Sequence, residues 1–145
     1  MKFKIVAVGK IKEKFFSDAI AEYVKRISRF AAVEIVEVAE NTFCGVPNGK
    51  EIEKITRAEG EAILQKTEGC VVAMDIDGKQ LDSMQIAEFI SRKKQTDSIF
   101  TFVVGGSYDL SQDVKNNADL RLSFGRITLP HQLFRAVLCE QIYRA

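Results

Sequence analysis

Hydrophobic and polar positions change period several times along the chain. Residues 2–9, KFKIVAVG, form an apolar run of the buried-strand type that ends at Gly9. Residues 13–30 place Phe16, Ile20, Tyr23, Val24 and Ile27 at helical spacing. AVEIVEVAE, residues 32–40, alternates apolar and acidic side chains and predicts a half-exposed strand. A loop rich in Gly, Asn and Pro follows over 41–50. Residues 51–67 give a second amphipathic helix with Ile52, Ile55, Ala58, Ala62 and Ile63 on one face. GCVVAMDI, residues 69–76, is an almost continuous apolar strand, and DGKQ at 77–80 predicts a turn whose Gly78 suits positive φ. A helix over 82–95, capped by Asp82 or Ser83, leads to the apolar strand 98–106. A short helix or turn at 111–117, a short strand at 120–125, a loop with a proline and a final helix over 132–145 complete the chain.

Strands therefore alternate with helices throughout. The strands at 69–76 and 98–106 are apolar at nearly every position, which requires cover on both faces. The pattern predicts an α/β fold, a mostly parallel sheet with helices on both sides. With 145 residues and no repeat or linker, one domain spanning 1–145 is expected.

Composition narrows the classes. Apolar residues make up 46% and charged residues 28%, a globular balance. No apolar run is long enough to span a bilayer, and the opening MKFKIVAVGK lacks the long apolar region and cleavage site of a signal peptide. A cytoplasmic protein without membrane partners is expected. Three cysteines, Cys44, Cys70 and Cys139, lie far apart with no CxxC, so neither a disulfide framework nor a metal site is expected. Cys70 and Cys139 read as small core residues, and Cys44 as a loop residue. The net charge of +1 lacks the basic excess of most free-standing nucleic-acid binders, although a local basic face or a dimer could supply one.

The strand 98–106 ends in Gly105-Gly106, which lets a ligand approach the backbone closely or simply terminates the strand. Three nucleotide or hydrolase chemistries fail on detail. The first strand is followed by a single glycine rather than GxGxxG, no GxxxxGKS/T occurs, and GGSYD is not a GxSxG elbow. The loop before the last helix needs partners for its backbone groups, which an adenine or ribose can supply. His131, the only histidine, follows Pro130 at the helix start. It is either a locally bonded helix-start residue or a catalytic group. Arg126, Arg135 and Arg144 are either solvated charges or phosphate contacts.

Four stretches carry a resemblance in order along the chain: KIVAVGKIKEKF, VVAMDIDGK, FVVGGSYDL and LSFGRITLPHQLFRAVLCEQIYRA. Together they resemble the SPOUT-class methyltransferases that modify N3 of a pseudouridine in large-subunit ribosomal RNA, the RlmH or YbeA family. The resemblance covers nearly the whole chain. It implies an α/β fold with a deep C-terminal trefoil knot, a homodimer, S-adenosylmethionine as cofactor and the assembled ribosome as partner. It implies that Met74, where the family usually has leucine, and Gly105 line the cofactor site. It further implies that Phe124, Gly125, Arg126, Ile127, Thr128 and Leu129 wrap the adenosyl group. Gly125 stands where a serine is more common.

Methyl transfer to an imide nitrogen needs alignment and removal of a proton, so His131 and Arg135 are the catalytic candidates. Lys10, Lys12, Lys25 and Arg26 are either phosphate contacts or solvated surface. Family members carry a further short segment, near the cofactor, ending in a Tyr-His pair and a basic residue; the sequence ends at Ala145 without it. Two rival readings follow: another SPOUT RNA methyltransferase, or a non-catalytic dimeric ribosome-binding or assembly factor. The last helix carries apolar residues at most turns, more than one buried face needs, which a partner helix in a dimer or a two-sided core would explain.

Overall fold

A computed structural model describes residues 1–41 and 45–145; Cys44, expected in a loop, lies outside the described residues. In chain order the elements are β1 Lys2–Val8, α1 Lys14–Ile27, β2 Ala32–Val38, α2 Gly49–Leu64 and β3 Cys70–Gln80. They continue with α3 Ser83–Lys93, β4 Ile99–Val104, α4 Gln112–Asn117, β5 Leu120–Ser123 and α5 His131–Arg144. The five strands form one sheet in the order β2-β1-β4-β3-β5, and every pairing is parallel.

The alternation of side chains along each strand divides the core in two. Phe3, Ile5 and Ala7 of β1 face one side, where α1, α3 and α5 cover them with Ile20, Phe89, Ile90, Leu138 and Ile142. Val6 and Val8 face the other, under Ile63 of α2 and Val114 of α4. The central strands β1 and β4 are thus buried on both faces, as their continuous apolar runs require. Cys70 and Cys139 are core residues, and burial pushes both thiols up to about 11.

Polar caps set the helix starts. Asn48 opens α2 by accepting the Glu51 N–H at 2.9 Å while Glu51 accepts the Asn48 N–H at 3.0 Å. Asp82 and Gln85 make the same reciprocal pair at 2.8 Å each, so Asp82 rather than Ser83 caps α3. The buried face of α2 is rotated from the expected one. Ala58 is exposed, whereas Thr56, Glu59 and Gly60 are buried. Gly60 explains the rotation, because a Cβ there would lie 2.3 Å from the Ser111 hydroxyl, so its bareness admits the start of α4.

The expected turn at 77–80 is instead a continuation of β3. Leu122 pairs with both Met74 and Lys79, and residues 75–78 bulge out between the two registers. Gly78 serves close approach, not positive φ: a Cβ would lie 2.7 Å from the Arg121 backbone. Gly69 does hold the left-handed conformation, at φ 64°, where a Cβ would meet the Ile99 carbonyl oxygen at 2.2 Å. The adjoining Glu68 backbone is locked onto β4, its carbonyl accepting from Thr101 Oγ1 at 2.6 Å and its N–H donating to the same oxygen at 3.1 Å. Gly69→Ala is expected to destabilise the fold by about 2 kcal/mol or more, read from urea unfolding, because it adds both backbone strain and a backbone clash.

Candidate active site

The carboxyl ends of β3, β4 and β5 open onto a cavity of about 420 Å³. In a parallel sheet this is the end where ligands bind. From the strand ends come Met74 and Asp75, Val104 with Gly105, and Leu122. The loop between β5 and α5 closes the other side with Phe124, Gly125, Ile127, Thr128 and Leu129, and His131 stands at the edge.

Local chemistry shapes that loop. Ser123 Oγ lies 3.0 Å from the Ile76 carbonyl and 3.1 Å from both the N–H and the carbonyl of Gly125, pinning the loop to the β3 bulge. Gly125 has φ 112°, a conformation open to glycine, and Phe124 stacks on Phe134 of α5 at 5.4 Å between ring centroids. Gly105 is bare for a steric reason: a Cβ there would lie 2.9 Å from the Asp109 carbonyl carbon. A wider hollow of about 610 Å³, which shares Ser123, Phe124 and Gly125, has a mixed lining that includes Asp82 and Ser83 of the α3 start, Ile86 and Gln141. The smaller cavity has the apolar walls with a few convergent polar groups that a small-molecule site needs.

Two of the sequence-expected residues lie elsewhere. Arg126 is exposed and does not line the cavity. Arg135, expected beside the reacting atoms, turns instead toward β2 and the end of β1. Its guanidinium donates to Glu37 at 2.7 Å and to the Gly9 carbonyl at 3.2 Å, and the residue is only 2% exposed. A buried guanidinium needs an anion and acceptors, and these lie at the carboxyl ends of β1 and β2. Gln132 helps from the same helix, its side-chain oxygen accepting the N–H groups of Lys12 and Glu13 at 3.0 and 3.3 Å.

These bonds bring the α5 start against the loop after β1. A Cβ on Gly9, at φ 89°, would lie 3.4 Å from Glu40 Oε2 and 4.0 Å from His131 Nε2. Ser107 donates to the other Glu40 oxygen at 2.9 Å. Glu40 lies outside every stretch singled out in the sequence, and Ser107 lies within FVVGGSYDL with no role of its own there; the fold joins them near Gly9. Deeper in, burial raises the Glu59 carboxyl above its ordinary value. Behind the polar wall, burial works against the charge of Lys115, but the carboxylates of Asp109 and Asp75 outweigh it and raise its pKa.

The family model described as Predicted SPOUT methyltransferase matches residues 1–145. The chain belongs to the SPOUT methyltransferase family. It is 47% identical over 148 residues to a protein of Carboxydothermus hydrogenoformans named Ribosomal RNA large subunit methyltransferase H, covering 100% of this chain and 93% of that one. A protein of the same name from Streptococcus pneumoniae strain CGSP14 is 48% identical over 151 residues with the same coverage. Among solved structures, the SpoU methyltransferase AviRb of Streptomyces viridochromogenes is a distant likeness: TM-score 0.47, 14% identity, covering 98% of this chain and 59% of that one.

As a SPOUT member the protein is a methyltransferase, and SPOUT methyltransferases use S-adenosylmethionine. The cavity suits that cofactor. Met74, Leu122, Ile127 and Leu129 offer apolar surface for an adenine, and the loop offers backbone groups for its edge. Asp75 Oδ2 is buried without a hydrogen-bond partner where β3 leaves its register, and Asp109 also lines the wall. Glu37→Ala leaves Arg135 buried without its anion and is expected to cost about 3 kcal/mol in urea unfolding.

Proposed function

We propose that this protein transfers a methyl group from S-adenosylmethionine to N3 of a pseudouridine in large-subunit ribosomal RNA, acting on the assembled ribosome in the cytoplasm. The observation that carries this reading is the full-length similarity, near half identity, to proteins named Ribosomal RNA large subunit methyltransferase H. In support, the cavity at the strand ends has His131 at its edge. Met74, Gly105, Phe124, Gly125, Ile127, Thr128 and Leu129 hold the cofactor, while Arg126 stays outside the cavity. The chain works as a homodimer with a C-terminal trefoil knot formed around β5 and α5. Half-buried Leu133 on α5 supports the dimer, since it leaves apolar surface to a partner helix.

When bound, S-adenosylmethionine supplies an electrophilic methyl group on its sulfonium. The protein must then align N3 of the base with that methyl and remove the N3 proton. His131 in its neutral form accepts that proton. Arg135 touches no substrate in this scheme and acts as a positioning residue: through Gly9 and Glu37 it holds the α5 start, and so His131, against the β1 end. No covalent intermediate with the protein is needed.

The near-neutral charge fits a target selected by shape and local contacts rather than by a broad basic field. Lys10 and Lys12 are exposed in the loop beside His131 and contact RNA phosphates in this reading. Arg26 is committed elsewhere: it pairs with Glu22 at 3.0 Å and lies over the rings of Tyr23 and Tyr143.

Calorimetric titration with S-adenosylmethionine should give saturable binding, and nuclear magnetic resonance should show amide shifts concentrated in residues 74–76, 105–109 and 122–129. Shifts confined to other segments would remove the cavity from the mechanism. With ribosomes as substrate, His131→Ala is expected to lower kcat by about 100-fold while cofactor affinity stays near that of the wild type. Unchanged turnover would exclude His131 as the essential base. A Lys10→Ala, Lys12→Ala double variant is expected to raise KM with kcat preserved, and to flatten the dependence of binding on salt by about one unit of slope per lost phosphate contact.

A further inference from the structure

Two carboxylates on the polar wall of the cavity, Asp75 and Asp109, and a lysine behind them, Lys115, take no part in the chemistry above. Asp75 is the residue at which β3 departs into its bulge, and its side chain is 1% exposed. Its Oδ1 accepts the Asp77 N–H at 3.0 Å, and Arg121 approaches Oδ2 only at 3.7 Å. Asp109 sits across the wall in the turn between β4 and α4 with φ 72°, in the left-handed region. Lys115 lies behind both, in α4. Its ammonium is 2.9 Å from Asp109 Oδ2 and 3.6 Å from Asp75 Oδ1, with the side chain 15% exposed.

The placement is mechanical as well as electrostatic. The left-handed conformation is uncommon outside glycine, and an aspartate adopts it where local bonds support it, so the bonds that Asp109 makes decide its position. Its own turn holds it weakly, through an Asp109 N–H to Gly106 carbonyl contact of 3.4 Å. The Lys115 bond is the stronger restraint. The Asp109 backbone in turn rests against Gly105, where no Cβ fits, and Gly105 is part of the cavity wall. If Asp109 shifts, the space beside Gly105 changes. Asp75 begins the bulge to which Ser123 anchors the loop on the other side of the cavity. One ammonium, a compact charge with three donors, thus bridges the two walls. A partly buried ion pair of this kind is screened less than a surface pair.

We propose that Lys115 is a positioning residue for the methyl donor: by tying Asp109 to Asp75 it holds the β4 turn and the β3 bulge at the separation the cofactor requires. The proposal rests on the reading of this cavity as the cofactor site.

The test uses the full chain and calorimetric titration with S-adenosylmethionine, beside thermal unfolding without ligand. Lys115→Met is expected to bind about tenfold more weakly, close to 1.4 kcal/mol. Lys115→Arg, which keeps the charge, is expected to recover most of the affinity. Because Lys115→Met leaves Asp75 buried with only a distant cation, the double variant Asp75→Asn, Lys115→Met provides a chain without that unpaired charge. It is expected to fold and to bind as weakly as the single variant. A purely structural role would lower Tm and leave affinity untouched. Wild-type affinity in folded Lys115→Met or in the double variant would overturn the proposal, as would Lys115→Arg binding no better than Lys115→Met. The two readings fail separately. Wild-type amide shifts outside the cavity would sink the cofactor site and this proposal with it. Shifts in the cavity with unchanged affinity in the variants would sink the proposal alone.

Discussion

A guanidinium taken out of water has to find an anion and enough acceptors, or the fold that buries it is lost. Arg135 meets most of this demand with the carboxylate of Glu37 and the carbonyl of Gly9, leaving Nε without a partner. The consequence is architectural. Glu37 lies on β2, Gly9 closes β1, and Arg135 stands one turn into α5, so one side chain fixes the last helix to the first two strands. Glu37 accepts the Ile11 N–H at 3.2 Å with the oxygen that takes Arg135, which draws in the loop after β1 as well. His131 lies one turn earlier on the same side of α5, and its approach to Gly9 follows from the restraint on Arg135. The hydrophobic layers supply most of the driving force for folding, but they do not choose this register of helix on sheet.

The cavity arises from backbone packing more than from large side chains. Parallel strands finish together at one end, and their connections must leave in different directions. Gly105 makes room for the returning turn, the bulge after Met74 turns β3 outward, and Ser123 binds the bulge to the loop that follows β5. The hollow left between them has apolar walls because its lining continues the core. Its polar atoms lie where the strands break register.

Much of the fold was legible because burial imposes periodicity. The apolar runs of β1, β3 and β4 and the helical spacing of α1 report directly which faces are covered. The mistakes fall where a single contact overrides the pattern. Gly78 looked like a turn glycine, yet it accommodates the Arg121 backbone inside a strand pairing that changes register. The face of α2 turned because Gly60 admits Ser111, a neighbour far away in sequence. At the site, the run from Phe124 to Leu129 was legible through its resemblance to a family, and five of its six residues line the cavity. Arg135 was placed on the wrong side, since a helix start offers no sequence signal of which way a long side chain will turn. Glu40 and Lys115 carry no local signal at all, because their partners lie on other elements.

The order of the strands leaves β2 and β5 as the outer members of the sheet. An outer strand is a template onto which a second chain can pair. β5 is only four residues long, and β2 carries a carboxylate at Glu34, held by Lys2 at 2.6 Å, and another at Glu37. A second copy pairing along β2 would have to bring its own acidic side chains into the same row, where like charges repel. The alternation of acid and apolar residues that marks β2 as half-exposed therefore also guards the sheet against growing from one molecule into the next.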